Sequence, residues 1–234
     1  MTSAGKVMGD SSADWGAAQY IRALGVKYCP YCNADTVYSV EVKKRGKIGK
    51  RRRPVIRRGI ARSALDHYYP RGEYPFLGIC LCNLVPACTR CNTSIKGDFK
   101  FSIGGYANPF EDDISSQVCF EYVFRTDEDG RRLSGENGIE LSIKADKGRR
   151  GNKARKLVDF FQVLPVYNAL FRQEALDALG RKKKLMSHYG KSWLRKILPG
   201  LSQTERNRLI YGYSLDRSTI NQERLGKLMV DILT

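Results

Sequence analysis

The chain has 234 residues, of which 42% are hydrophobic, so it is not a small scaffold that owes all of its stability to disulfides or a metal. Its formal net charge of +17 favours a polyanionic partner, with nucleic acid ahead of an anionic membrane surface. The sequence shows neither a secretory signal nor an apolar run long enough to cross a bilayer, so we expect a soluble cytoplasmic protein with no membrane partner.

The N-terminal elements lead into and out of a first cysteine pair. Residues 11–25 repeat apolar side chains at roughly helical spacing, and Gly25 is a typical stop signal, so this stretch predicts a short helix. Cys29 and Cys32 follow as a CxxC motif. Residues 36–42 alternate in side-chain character and are rich in β-branched residues, which predicts a strand.

A strongly basic segment comes next. Ten of the sixteen residues from Lys43 to Arg58 are Lys or Arg and none is acidic, so we expect the segment to be mobile unless an anion orders it. A solvated loop or hairpin tip is one interpretation, and direct contact with a phosphate backbone is the interpretation we favour. The predicted nucleic-acid-binding residues of the segment are Lys43, Lys44, Arg45, Lys47, Lys50, Arg51, Arg52, Arg53, Arg57 and Arg58.

A second CxxC motif completes a set of four thiols that suit one metal ion. Two CxxC turns place four soft ligands around Zn²⁺ with no open position, and such closed sites are structural. A lone CxxC motif is also typical of redox proteins, but neither pair here lies in a βαβ pattern. The predicted zinc ligands are Cys29, Cys32, Cys88 and Cys91.

Three further cysteines bring the total to seven, an odd number that argues against a disulfide framework and for a reducing compartment. We expect Cys80, Cys82 and Cys119 to be buried thiols. A site in which Cys82 replaces Cys88 is the competing assignment.

The second half of the chain changes from strand-like to helical patterns. Residues 117–125 and 138–144 alternate on either side of a stretch rich in Gly and acidic residues, which predicts a β-hairpin. Beyond it, apolar residues recur at helical spacing, and Pro165 is expected to break or kink a helix. Ser202 and Glu205 form a capping-box pattern at the start of a later helix.

Residues 64–98 hold side chains suited to phosphodiester hydrolysis, which needs a base for the attacking water and stabilisation of the leaving oxygen. His67 suits the role of base because imidazole titrates near neutrality. In an extended strand Asp66 points to the side opposite His67, so both reach one phosphate only at a bend or strand end. Taken singly, His67 is better explained as a packed histidine, and Asn83 and Asn92 as residues that cap turns.

Taken together, these residues resemble a known family. The Asp-His pair at residues 66–67, the NLVPAC stretch with Asn83 and the Cys-Asn pair at residues 91–92 resemble the HNH nucleases of the ββα-metal superfamily. More narrowly, CPYC, LDHYYP, YPFL and NLVPACTRCN are similar to the HNH nuclease subunit of Septu-type and retron-linked bacterial anti-phage systems. The similarity covers about residues 26–110 and implies an α+β fold with a strand, loop, strand and helix stapled by the cysteine pairs.

The resemblance also implies a role for each member of the set. His67 would be the catalytic base, Asn83 would orient its imidazole, and Asp66 and Asn92 would bind one Mg²⁺ or Mn²⁺ ion. Asn92 stands where the family's lettering has histidine, and its carbonyl oxygen suits Mg²⁺. Apart from the resemblance, Lys96 is predicted to bind nucleic acid through a phosphate contact, or to lie at the surface, and not to be catalytic.

The first functional hypothesis is therefore a metal-dependent HNH endonuclease, the effector of a bacterial anti-phage system, with DNA favoured over RNA as substrate. The resemblance also implies an ATPase partner of the SMC or ABC type, or a retron RNA–DNA complex. One alternative is a non-catalytic zinc-ribbon protein that binds nucleic acid, and another is an interaction subunit with a decayed motif. We predict a nuclease domain over residues 1–110, and a β-hairpin with a helical, partner-binding region over residues 111–234.

Overall fold

The computed structural model describes residues 16–48, 53–188, 196 and 199–234, without side chains at 43–48, 53–59 and 188. Within these ranges the architecture is mixed α+β, with three two-stranded antiparallel sheets and helices concentrated in the C-terminal half. No helix in the described ranges is both long enough and apolar enough to span a bilayer.

The chain divides into two compact units. The first combines the described parts of residues 1–25 and 38–62, and the second combines Val26–Val37 with Ser63–Thr234. The second unit therefore contains both cysteine pairs and the C-terminal helices. The predicted boundary between residues 110 and 111 stays a prediction.

The first unit consists of a helix and a hairpin. Helix α1 (Ala17–Leu24) ends at Gly25, whose φ of 63° is the left-handed conformation of a helix C-cap, as predicted. Strands β1 (Ser39–Ile48) and β2 (Arg53–Arg62) pair in antiparallel orientation. Strand β1 begins at Ser39, later than the strand predicted over residues 36–42. It also extends past residue 42, because its backbone ladder with β2 continues into the basic segment.

Most of the basic segment thus belongs to a β-hairpin. The register pairs Lys43 with Arg58 and Lys44 with Arg57 across the two strands. Because like charges at opposed positions of an antiparallel pair repel, a bound anion would stabilise this hairpin. Nucleic-acid binding by the segment stays a prediction, and three of its predicted contact residues lie outside the described ranges: Lys50, Arg51 and Arg52.

The second unit begins with the strands that carry the Asp-His pair. Strand β3 (Ala64–His67) pairs antiparallel with β4 (Leu84–Ala87), so that Asp66 lies opposite Val85 and His67 opposite Leu84. The loop between the strands contains two 3₁₀ turns, Pro75–Leu77 and Leu81–Asn83. A π-helical segment, Arg90–Lys96, follows β4. The order along the chain is strand, loop, strand and helical segment.

A second hairpin and a series of helices complete this unit. Strands β5 (Val118–Phe124) and β6 (Ile139–Ala145) pair antiparallel, which confirms the predicted hairpin. The described helices are α2 (Ile114–Gln117), α3 (Arg149–Phe160), α4 (Val163–Leu170), α5 (Arg172–His188), α6 (Gln203–Tyr211) and α7 (Gly226–Leu233).

Two local signals in the helical region are confirmed. Ser202 and Glu205 form a reciprocal capping box at the start of α6. Helical structure is interrupted between α3 and α4, where Gln162 adopts a left-handed φ of 53°. Pro165 lies in the first turn of α4. Proline is tolerated there because the amide groups of a first helical turn have no intrahelical acceptor.

One continuous core joins the cysteine-bearing segments to the C-terminal helices. Tyr31, between the first two cysteines, stacks on Phe161 at a centroid distance of 4.2 Å. The Tyr167 hydroxyl in α4 donates to the backbone carbonyl of Cys32 at 2.6 Å. Asn33 donates through Nδ2 to the Ile220 carbonyl at 2.8 Å. The C-terminal helices therefore support the first cysteine turn directly and do not form a separate core.

Candidate functional site

The four predicted zinc ligands form one buried cluster. Their Sγ atoms all lie within 4.8 Å of one another. Four thiolates bound to Zn²⁺ at about 2.3 Å would stand roughly 3.8 Å apart, and the Sγ atoms of Cys32 and Cys88 are 3.9 Å apart. The cluster is therefore positioned to hold a metal ion, in the manner of a structural zinc site.

Different backbone elements bring these thiols together. Cys29 and Cys32 lie on a turn closed by the antiparallel bridge between Tyr28 and Thr36. Cys88 follows β4 directly, and Cys91 lies in the first turn of the π-helical segment. The end of strand β4 and the start of the π-helical segment therefore lie against the turn at residues 29–32.

The chemistry around the cluster calls for a cation among the sulfur atoms. Burial raises the pKa of Cys29, and hydrogen bonds with the neighbouring thiols raise that of Cys91. Because four adjacent buried thiols do not ionise together unaided, a metal ion would supply the charge that holds them as thiolates. Arg90 adds positive charge nearby and donates to Asp35 at 3.0 Å.

The other three cysteines lie outside the cluster, and the alternative ligand Cys82 is therefore excluded in favour of Cys88. The expectation that they are all buried was wrong. Cys82 and Cys119 are exposed, and Cys80 is partly exposed. Cys80 and Cys82 belong to the loop between β3 and β4, where the backbone runs along the surface.

Asp66 is the centre of a buried polar network. Its carboxylate accepts from Lys96 Nζ at 2.6 and 2.8 Å, and from the Tyr31 hydroxyl at 2.6 Å. Asp66 and Lys96 are only 7% and 5% exposed. Burial lowers the pKa of Lys96, an effect that the negative charge of Asp66 opposes. The carboxylate is thus neutralised by a cation from the protein itself.

Lys96 also fixes the end of strand β3. Its ammonium group donates to the backbone carbonyl of His67 at 2.7 Å, in addition to its bonds with Asp66. The expectation that Lys96 lies at the surface was therefore wrong, and in this conformation the structure gives no support to a phosphate contact by its ammonium group.

His67 lies on the opposite side of β3 from Asp66, as strand alternation requires. Its imidazole is partly exposed, and Nε2 lies 3.0 Å from the backbone carbonyl of Gly78. Because a carbonyl only accepts, this contact assigns the proton of a neutral imidazole to Nε2 and leaves Nδ1 as an acceptor. Within the described residues Nδ1 has no hydrogen-bond partner.

Asn83 clamps the loop that holds His67. Its Oδ1 accepts from the Tyr69 amide at 2.7 Å, and its Nδ2 donates to the carbonyls of Tyr69 and Leu77, each at 3.0 Å. Leu77 immediately precedes Gly78, the residue that contacts the imidazole. Asn83 therefore acts on His67 through the backbone of the loop, whereas the resemblance implied that it orients the imidazole.

Replacing Asn83 by Ala should destabilise the second unit. The side chain is 2% exposed, and its removal leaves the amide and carbonyl groups of Tyr69 without a hydrogen-bond partner within the described residues, at roughly 1–3 kcal/mol for each group that water cannot reach. We expect a total loss of about 3 kcal/mol in the free energy of unfolding by chemical denaturation. The matched control is Asn92→Ala, since Asn92 is partly exposed and its side chain makes no hydrogen bond within the described residues. Equal stability of the two variants would show that the hydrogen bonds of the Asn83 side chain do not stabilise the loop.

Sequence reasoning missed two supporting residues. Tyr31 connects the first CxxC turn to Asp66, and Asn33 connects the same turn to the C-terminal region. For Asn33 the available signal was the asparagine that follows the second cysteine of each pair, at Asn33 and at Asn92. Asn33 adopts a left-handed φ of 50°, a conformation that asparagine tolerates better than most residues.

The site thus combines a buried four-cysteine cluster, a neutralised buried carboxylate and a partly exposed histidine on one strand–loop–strand–helical frame. Comparison of the chain with protein-family models, with curated proteins and with solved structures found no match.

Proposed function

We propose that the protein is an HNH-type endonuclease that hydrolyses phosphodiester bonds of nucleic acid. The state of His67 carries the proposal: its imidazole is partly exposed, and the Gly78 carbonyl holds Nε2 so that Nδ1 is an acceptor. The order of strand, loop, strand and helical segment around it, with a four-cysteine cluster at its base, supports the same conclusion.

In the proposed reaction His67 Nδ1 accepts a proton from the water that attacks the phosphorus atom. The contact with Gly78 then stabilises the imidazolium, because Nε2–H continues to donate to the carbonyl. Asn83 keeps the loop in place during this transfer through its bonds with Tyr69 and Leu77. The cysteine cluster contributes rigidity and no chemistry.

Asp66 and Asn92 would hold the catalytic Mg²⁺ or Mn²⁺ ion. Oδ1 of Asp66 accepts a single hydrogen bond, from Lys96, and so retains a lone pair, and the Asn92 amide supplies a second hard oxygen donor. Because Asp66 and His67 lie on opposite sides of β3, the end of that strand would have to bend before a bound ion could stabilise negative charge on the phosphate and leaving oxygen that His67 serves. Lys96 would compete with this ion for the Asp66 carboxylate.

The substrate and biological role follow from charge and from the resemblance. The basic hairpin, with its cross-strand pairs of Lys and Arg, suits a polyanion, and DNA is favoured over RNA. The nuclease would act as the effector of a bacterial anti-phage system. Its partner would be an ATPase of the SMC or ABC type, or a retron RNA–DNA complex.

A second candidate function rests on the Asp66–Lys96 pair. Because an ammonium group already neutralises the carboxylate, Asp66 needs no divalent ion to balance its buried charge. This arrangement favours a non-catalytic zinc-stapled protein that binds nucleic acid through the basic hairpin.

The decisive experiment is cleavage of plasmid DNA, single-stranded DNA and tRNA by the purified protein with Mg²⁺ or Mn²⁺, alongside an EDTA control. We expect His67→Ala to reduce cleavage by roughly 10²–10⁴-fold, the usual contribution of a general base. His188→Ala is the matched control, since the chain has only two histidines. Circular dichroism and zinc content must show that both variants fold.

Cleavage that disappears only in His67→Ala would establish the nuclease and identify its substrate class. If the wild type and His67→Ala bind nucleic acid equally well and neither cuts, the non-catalytic binder is the better description.

A further inference from the structure

Two thiols near the surface lie unusually close together in the loop that follows His67. The Sγ atoms of Cys80 and Cys82 are 3.0 Å apart, nearer than two non-bonded sulfur atoms ordinarily approach. Both cysteines are outside the four-cysteine cluster. Cys82 is exposed and Cys80 is partly exposed, so a small molecule in solution can reach the pair.

The loop backbone holds the two thiols in this position. The Cys80 amide donates to the Leu77 carbonyl at 3.2 Å, and the Asn83 amide donates to the Cys80 carbonyl at 3.0 Å. The Asn83 side chain, itself buried, adds a bond to the Leu77 carbonyl. Since both ends of the turn are fixed, the thiols need no search through chain conformations to meet.

The surroundings leave the pair accessible to a reagent. The residues next to them, Ile79 and Leu81, are 90% and 48% exposed. The thiols of the metal cluster, in contrast, are buried. Thiol chemistry in solution should therefore act on this loop before it reaches the cluster, because exposure controls the rate of thiol–disulfide exchange.

We propose that Cys80 and Cys82 are an oxidation site that closes to an intramolecular disulfide on reaction with a low-molecular-weight disulfide. One thiolate of the pair attacks the reagent, forms a mixed disulfide and releases the first reagent thiol. The second thiolate then attacks the protein sulfur of the mixed disulfide and releases the second reagent thiol. The two cysteines lose two protons and two electrons, and the reagent disulfide is reduced to two thiols.

The closed ring would tighten the loop that contacts His67. It spans only Leu81, and rings this small are strained, so the bond should be readily reduced. Gly78, which holds the imidazole, lies two positions before Cys80 in the same loop. Oxidation would thus alter the surroundings of His67, although the oxidation site does not depend on the proposed nuclease function.

The test uses oxidised glutathione on the native, metal-loaded protein. In the peptide that contains Cys80 and Cys82 we expect a mass loss of two hydrogen atoms, whereas Cys119, which lies outside the pair, either stays a free thiol or gains one glutathione. Peptide fragmentation should place the bond between Cys80 and Cys82, and dithiothreitol should reverse it. Zinc content should stay unchanged throughout.

Two variants make the result decisive. Cys82→Ser should gain one glutathione at Cys80 and show no ring closure, whereas Cys119→Ser, which changes an exposed cysteine in strand β5, should close as the wild type does. The proposal is overturned if the wild type carries glutathione at Cys80 or Cys82 without closing the ring, or if its bond joins other cysteines.

Discussion

Replacing the predicted zinc ligand Cys91 by Ser is expected to abolish metal binding by the four-cysteine cluster and to unfold the cysteine-bearing part of the second unit. Cys91 is fully buried and its Sγ lies within 4.8 Å of the other three sulfur atoms. Structural zinc contributes about 10–16 kcal/mol in zinc-finger peptides, which is comparable to the roughly 5–15 kcal/mol that separates folded from unfolded domains. In this protein the hydrophobic core extends beyond the cysteine cluster and also stabilises the fold. We therefore expect the free energy of unfolding to fall by several kcal/mol and unfolding to be incomplete.

Zinc content by mass spectrometry and thermal unfolding by circular dichroism would measure this effect. We expect one zinc ion per chain in the wild type, and a large drop in midpoint temperature for Cys91→Ser and for the wild type after chelation. Cys119→Ser is the matched control, because Cys119 is exposed in strand β5 and lies outside the cluster. A Cys91→Ser protein that keeps its metal and its midpoint would disprove the zinc site.

Replacing Lys96 by Met is expected to cost about 3–5 kcal/mol of stability, the usual result of removing one partner from a buried ion pair. Among the described residues, the change leaves the buried Asp66 with the Tyr31 hydroxyl as its one side-chain partner, and it removes the bond to the His67 carbonyl. Lys100→Met is the control. Lys100 also pairs with a carboxylate, that of Glu73, but its side chain is 61% exposed, so we expect a change below about 0.5 kcal/mol.

A double-mutant cycle would show whether the pair is the cause. Asp66→Asn removes the charge that Lys96 neutralises, so the combined variant should be more stable than the sum of the two single losses predicts. Additive losses would show that Lys96 stabilises the fold by packing alone.

The same variant tests the relation between Lys96 and the proposed catalytic ion. If Asp66 binds Mg²⁺ or Mn²⁺, then Lys96→Met removes the competing ammonium group, and millimolar divalent ion should restore stability by mass action. Stability of Lys96→Met that does not respond to either ion would favour the non-catalytic binder.

The sequence alone determined the features that depend on neighbouring residues. The two-residue spacing of each cysteine pair, the glycine that ends α1, the alternation of the β5–β6 hairpin and the capping box at Ser202 are all visible within a few positions. They could be predicted because local backbone geometry and local hydrogen bonds produce them. The α+β class, in contrast, was implied by the family resemblance, together with the strand-like and helical patterns of the second half of the chain.

The tertiary structure decided which distant residues meet. Spacing permitted either Cys82 or Cys88 as a ligand, and only the pairing of β3 with β4 buries Cys88 in the cluster while it leaves Cys82 at the surface. The partnership of Asp66 with Lys96 joins residues on β3 and on the π-helical segment. No local pattern encodes that contact, because the packing of the core around both side chains determines which buried charges can neutralise one another.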